Sequence, residues 1–140
     1  MNQNAVKNIM GDEDMPLTLS PKIHGQVLRF LAQDDFVADL VDGFSSPLNI
    51  IFPEILQENA DNFRRVYEEN HLRGKIYFTT KPNKSLSLVR QAALMDVGAD
   101  ISSERALQAA LGAGFNGERI EATGPKNTAY LALALQHGVT

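Results

Sequence analysis

The fold is decided by residues 75–122, which read KIYFTTKPNKSLSLVRQAALMDVGADISSERALQAALGAGFNGERIEA. Three short runs in this stretch are read as strands, at 75–80, 99–101 and 119–122, and the first of them is rich in β-branched and aromatic residues. A longer segment with apolar residues at helical spacing follows each of the first two runs, and a third such segment follows residue 122. Strands that alternate with helices of this length predict βαβ units, and therefore a parallel sheet or barrel. The units recur about every 20 residues, without a residue-level repeat, which favours a (β/α) barrel over a solenoid.

The three helices of these units carry recognisable start and stop signals. A serine or asparagine stands where each helix is predicted to begin, and such side chains accept hydrogen bonds from free backbone N–H groups. A glycine stands at each predicted end, where a left-handed backbone is common. The predicted limits are Ser85 to Val97-Gly98, Ser103 to the Gly112/Gly114 pair, and about Asn127 to His137-Gly138. Another strand is expected to begin at Val139-Thr140, so we expect this sequence to be the front part of something larger.

The preceding residues predict a helical lead-in. Ser20-Pro21 is read as an N-cap with proline at the first helical position, and a second helix is expected to stop at Gly43. A strand is then predicted at Leu48–Phe52, and a helix with a 3.6-residue apolar period is predicted from Pro53. The expected organisation is a flexible or extended segment at 1–19, the helical lead-in at 20–45, and the first part of a barrel domain at 46–140.

The composition narrows the class of protein. The chain has 140 residues, of which 44% are hydrophobic and 21% are charged, with a net charge of −4 and no cysteine. This balance is typical of a folded domain and not of a disordered chain. Nucleic acid and membrane are not expected as partners, since there is no basic excess and no long apolar run. Residues 1–14 lack the apolar core of a secretory signal, so a cytoplasmic location is expected.

Polar residues follow each predicted strand of the βαβ units, at the end where sites of parallel α/β proteins lie. Lys81 is the strongest candidate, because it follows a mostly apolar strand and precedes a proline that favours extended backbone. A lysine held at a barrel rim can serve as a Schiff-base amine. The alternative is a solvated lysine at a strand end. No metal site is predicted, since His24, His71 and His137 share no helical spacing.

These segments match the motifs of a known family in order. Residues 77–83, YFTTKPN, resemble the Tyr-Ala-Val-Lys-Ala-Asn segment of the pyridoxal-phosphate decarboxylases of the diaminopimelate/ornithine type, which share fold type III with alanine racemase. Residues 98–103, GADISS, are similar to the family's Gly-x-Asp-x-x-Ser. The further matches are Gly114-Phe115, Glu118-Arg119-Ile120, Gly124-Pro125 with Lys126 one place early, and, upstream, Ser46-Pro47-Leu48. Together they cover residues 46–139, about two-thirds of the chain.

The resemblance implies an incomplete (β/α)8 TIM-type barrel containing the first three or so βα units. It also implies a cofactor, pyridoxal 5'-phosphate, joined to Lys81 as a Schiff base, with Asp100 beside it on the second strand. The implied activity is decarboxylation of a small-molecule amino acid similar to diaminopimelate, ornithine or lysine. Family members are homodimers and need further parts, including a phosphate loop, so this chain alone is not expected to be catalytically competent.

Three departures from the family pattern leave alternatives open. Thr79-Thr80 replaces Ala-Val, Pro82 replaces alanine, and Ala106 stands where the family's Ser-x-x-Glu has its glutamate. A racemase-like barrel enzyme using the same lysine is one alternative. The other is a non-catalytic relative that keeps the fold for binding or regulation. Residues 112–117 also satisfy G-x-G-x-x-G, but they follow a helix and precede a strand, which is the reverse of a dinucleotide site.

Overall fold

The three strands predicted in the βαβ units form one parallel sheet in the computed structural model, which describes residues 22–140. The strands are β1 (Tyr77–Thr79), β2 (Gly98–Ile101) and β3 (Ile120–Ala122). They lie in sequence order, β1-β2-β3. A helix separates each strand from the next, as a parallel connection requires. The α/β class with a parallel sheet is therefore confirmed.

The described residues fall into two compact units, divided between Leu48 and Asn49. The described helices of the first unit are α1 (Gly25–Leu31) and α2 (Asp34–Phe44). The second unit contains α3 (Pro53–Glu69), α4 (Leu86–Leu94), α5 (Glu104–Gly112), a 3₁₀ turn (Gly117–Arg119) and α6 (Thr128–Gln136).

The core of the second unit lies between one face of the sheet and its helices. Ala99, Ile101 and Ile120 are completely buried on that face, because side chains alternate along a strand. They pack with apolar residues of α4, α5 and α6, including Val89, Leu107 and Tyr130. Burial of each large apolar side chain contributes roughly 1.5–3 kcal/mol to the stability of the fold, so packing of the helices on this face stabilises the unit. The opposite face carries the polar residues of the strands.

The predicted caps of α5 and α6 are confirmed. The Ser103 hydroxyl accepts a hydrogen bond from the Ala106 N–H at 3.2 Å. Asn127 does the same for the Tyr130 N–H at 2.8 Å. Gly114 and Gly138, which follow these helices, have positive φ angles of 103° and 65°.

The prediction that α4 runs to Val97-Gly98 is wrong. The helix ends at Leu94, and Gly98 begins β2 by donating its N–H to the Ile76 carbonyl at 2.8 Å. The last carbonyls of the helix are bound instead by Arg119. Its guanidinium donates to the carbonyl oxygens of Ala92, Ala93, Met95 and Val97 at 2.5–3.3 Å. Arg119, which is distant in sequence, therefore satisfies the carbonyl oxygens at the end of the helix, where a local glycine cap was expected.

Two upstream predictions also change. Residues 48–52 form no strand, since no neighbouring strand pairs with them and an extended segment needs such a partner. Helix α1 begins at Gly25, where the His24 ring accepts from the Gln26 N–H at 3.2 Å. Ser20, Pro21 and the segment 1–19 lie outside the described residues.

The outer edge of β3 is partly paired. The Ala122 N–H donates to the Thr140 carbonyl at 2.7 Å, and the Thr140 N–H donates to the Ile120 carbonyl at 3.4 Å. These two bonds have the pattern of a parallel neighbour. They agree with the expectation of a further strand at Val139-Thr140.

Candidate functional site

The carboxyl ends of the three strands meet at one edge of the sheet. The Thr80 N–H donates to the Asp100 carbonyl at 3.4 Å, and the Thr123 N–H donates to the Ile101 carbonyl at 2.8 Å. The ladder therefore continues one residue past the ends of β1 and β3. It holds the segments that carry Lys81 and Thr123 beside β2.

The face of the sheet that is turned away from the helices presents a polar row. The register pairs Thr79 with Asp100 and Asp100 with Glu121, so the three residues lie side by side. Two of them are carboxylates on neighbouring strands. We call the face that carries Tyr77, Thr79, Asp100 and Glu121 the open face.

Each carboxylate of the open face lies near a hydroxyl group. The Thr123 hydroxyl lies 2.5 Å from Asp100 Oδ1. Hydrogen-bonding interaction with Glu121, with burial and the negative charge of Glu121, raises the pKa of Tyr77. A side chain from the loop after β3 thus orients the Asp100 carboxylate.

The Tyr77 ring reaches Glu121 by crossing β2 at Gly98. A Cβ placed on Gly98 would lie 2.3 Å from Cε1 of that ring, closer than any real contact. Glycine at this position therefore leaves room for the Tyr77 ring of β1 to pass over β2 toward Glu121 of β3.

The structure places Lys81 at the end of β1 with an exposed side chain. Its N–H donates to the Thr79 hydroxyl at 3.5 Å. Lys81 lies in the bend that follows β1, two residues beyond Thr79. Within residues 22–140 the ammonium has no hydrogen-bond or ion-pair partner, and it makes no hydrogen bond to Asp100. The amine is therefore available to a ligand from solvent.

The sequence did not single out two residues that lie near this edge, Tyr130 and Thr123. Tyr130 is buried beneath β2, and its hydroxyl donates to the Ile101 carbonyl at 2.7 Å. Burial, with the nearby charge of Asp100, raises the pKa of Tyr130. Thr123 is one of the polar residues that follow the third predicted strand, and because it directly follows β3 it must lie near the end of β2. That position was the available signal for its contact with Asp100.

The other flagged residues lie apart from this arrangement. The Lys126 ammonium donates to the carbonyl of Gly124 in its own loop at 3.0 Å. In the G-x-G-x-x-G segment, a Cβ on Gly117 would lie 1.7 Å from the His137 carbonyl oxygen, so this glycine is needed for packing. Among the described residues, no three His, Cys, Asp or Glu side chains are grouped to hold a metal ion.

A cavity of about 610 Å³ opens at the opposite, amino end of the strands. Its lining mixes cations and carboxylates, including Arg64, Lys75, Asp96 and Arg119. Arg64 and Arg119 already bind backbone carbonyls, so their charges serve the fold. The candidate site residues Lys81 and Asp100 lie at the other edge of the sheet, where the strands have their carboxyl ends.

The sheet is that of a parallel α/β protein, a class whose ligands commonly bind beyond the carboxyl ends of the strands. A family model described as "Pyridoxal-dependent decarboxylase, pyridoxal binding domain" matches residues 55–140, more than half of the chain. The chain therefore belongs to the pyridoxal-dependent decarboxylase family, through its pyridoxal binding domain.

Two curated proteins are similar to this chain. An uncharacterized protein, y4yA, of Sinorhizobium fredii is 40% identical over 83 residues, which is 59% of this chain and 18% of that protein. The diaminopimelate decarboxylase of Bacillus subtilis is 26% identical over 101 residues, which is 71% of this chain and 23% of that protein. The chain thus spans about a fifth of the length of these relatives. In the described part of the chain, no helix combines the length and apolar character needed to cross a bilayer.

Proposed function

We propose that this chain supplies the lysine-bearing part of a pyridoxal-phosphate-dependent amino-acid decarboxylase, with Lys81 as the residue that holds the cofactor. The observation that carries the proposal is the position of Lys81. It is an exposed amine just beyond the carboxyl end of β1, the strand that pairs with β2 and its Asp100. The family match makes this amine the candidate for the pyridoxal binding lysine.

The residues at this edge fit the chemistry of the cofactor. A pyridoxal aldehyde needs a primary amine without a competing partner, and Lys81 has none within the described residues. When bound, the cofactor supplies an electron sink for the electron pair released as the α-carboxylate leaves. Lys81 holds the cofactor, and Asp100 offers a carboxylate to an N–H group beside it. Lys126, bound to its own loop, is a poorer amine for this role.

The rest of the proposal concerns the barrel, the substrate and the complete protein. The sheet and helices of residues 46–140 form the first βα units of a (β/α)8 barrel, and the sequential strand order supports this. The substrate is an amino acid of the diaminopimelate, ornithine or lysine kind, which the similarity to a diaminopimelate decarboxylase supports. The complete protein acts in the cytoplasm as a homodimer.

A non-catalytic relative is the second candidate. Ala106 replaces the glutamate of the family's Ser-x-x-Glu, and in this structure its backbone N–H simply completes the Ser103 cap. A site that lacks this carboxylate could keep the cofactor without its full chemistry. Binding of the cofactor without decarboxylation would favour this candidate.

Reductive labelling tests the proposed role of Lys81. The full protein is incubated with pyridoxal phosphate and reduced with borohydride, and its peptides are mapped by mass spectrometry. We expect the pyridoxyl group on Lys81, and we expect Lys81→Arg to lose it, since a guanidinium keeps the charge but does not form the imine. Lys84→Arg is the matched control, because Lys84 is also exposed and only three residues away. Labelling of Lys84 or Lys126 in place of Lys81, or of no lysine, would refute the assignment.

A further inference from the structure

The contact between Thr123 and Asp100 links the carboxyl ends of β3 and β2 at the proposed site. We propose that Thr123 is a positioning residue that orients the Asp100 carboxylate on the open face, an inference that rests on the proposed function. The Thr123 hydroxyl donates to Asp100 Oδ1 at 2.5 Å. An O–H···O⁻ bond of this length is charge-assisted and stronger than a bond between neutral groups.

Thr123 is itself held firmly at its backbone. Its N–H donates to the Ile101 carbonyl at 2.8 Å, and the same carbonyl accepts the buried Tyr130 hydroxyl at 2.7 Å. One oxygen at the end of β2 therefore fixes both the segment after β3 and the start of α6. The hydroxyl of Thr123 is presented to Asp100 by this anchored backbone.

Asp100 depends on this one contact for its orientation. No Lys or Arg of residues 22–140 forms an ion pair with it, and the neighbour in register, Glu121, cannot donate. A carboxylate without a fixed donor rotates freely about its side-chain bonds. With Oδ1 bound to Thr123, Oδ2 has no partner among the described residues and stays available to an N–H group of a ligand.

The hydroxyl of Thr123, and not its shape, is the feature that matters. Thr123→Val keeps the shape and removes the donor, whereas Thr123→Ser keeps the donor and removes a methyl group. Asp100→Ala removes the acceptor. If Thr123 acts through Asp100, the Val substitution has no further effect when Asp100 is already Ala.

Two measurements on the full protein test the inference. The first is the rate of borohydride-trapped labelling of Lys81 by pyridoxal phosphate. We expect Thr123→Val to slow it roughly tenfold, the effect of losing one hydrogen bond to a charged group. We expect Thr123→Ser to remain within about twofold of the wild type on the same energetic scale. The second is the ¹³C resonance of the Asp100 carboxyl carbon without cofactor, which should move in Thr123→Val and stay in Thr123→Ser.

The outcomes separate this inference from the proposed function. Labelling of the wild type and of Thr123→Val at the same rate overturns the inference and leaves the role of Lys81 standing. Absence of labelling in the wild type overturns the proposed function, and the resonance alone then decides whether Thr123 orients Asp100. An unchanged resonance in Thr123→Val overturns the inference in either case. Unchanged circular dichroism and melting of each variant show that the fold is retained.

Discussion

Substitution of Arg119 by methionine tests whether a distant arginine caps α4. The guanidinium donates to four backbone carbonyls around the end of that helix and stacks over the Phe115 ring, with Cζ 4.9 Å from the ring centroid. Methionine keeps the unbranched apolar stem but provides no donor. The substitution therefore leaves several partly buried carbonyls without their partners.

The expected loss can be estimated from these contacts. A hydrogen bond from a charged group contributes about 1.5–3 kcal/mol net, and bonds from one guanidinium are not additive. The cation–π contact adds about 0.5–1 kcal/mol. We therefore expect Arg119→Met to lower the free energy of unfolding by about 2–4 kcal/mol. At roughly 3–4 °C per kcal/mol for a chain of this size, the melting temperature falls by about 10 °C.

Urea unfolding followed by circular dichroism measures this loss. The matched control is Arg105→Met on α5, because Arg105 is exposed and has no hydrogen bond or ion pair within the described residues. We expect this control to change stability by less than about 0.5 kcal/mol. Equal stability of Arg119→Met and the control would refute the capping role. Full recovery by Arg119→Lys would show that charge alone, and not the planar fork, is needed.

Two further predictions concern a buried tyrosine and a close backbone contact. Tyr130 should ionise above the ordinary tyrosine pKa of 10.0, so its stabilising contribution is complete below about pH 10 and is lost as the pH rises through the folded pKa. Asp100→Asn removes a nearby negative charge and should lower the pKa of Tyr130, as measured by ultraviolet difference absorbance, and a rise would contradict the assignment. Gly117→Ala should destabilise the protein by several kcal/mol, since its Cβ would lie 1.7 Å from the His137 carbonyl oxygen. Gly112→Ala, with no atom within 4 Å of the added Cβ, should not lower stability in the same thermal melts.

The sequence predicted the features of this protein that depend on neighbouring residues. The capping side chains of Ser103 and Asn127 act within three residues, so their helices could be placed from local chemistry alone. The alternation of strands and helices likewise predicted a parallel sheet. Because parallel strands end at a common edge, the positions of Lys81 and Asp100 on that edge also followed.

The tertiary structure decided the features that depend on distant partners. The predicted strand at 48–52 is absent, because a strand forms only against a neighbour and local propensity cannot supply one. The end of α4 is set by Arg119, more than twenty residues further along the chain. The contact of Thr123 with Asp100 likewise joins residues 23 positions apart, through the register of β2 and β3. The position of Thr123 after β3 places it near the end of β2, but spacing along the sequence does not fix which side chains meet, since packing of the strands brings them together.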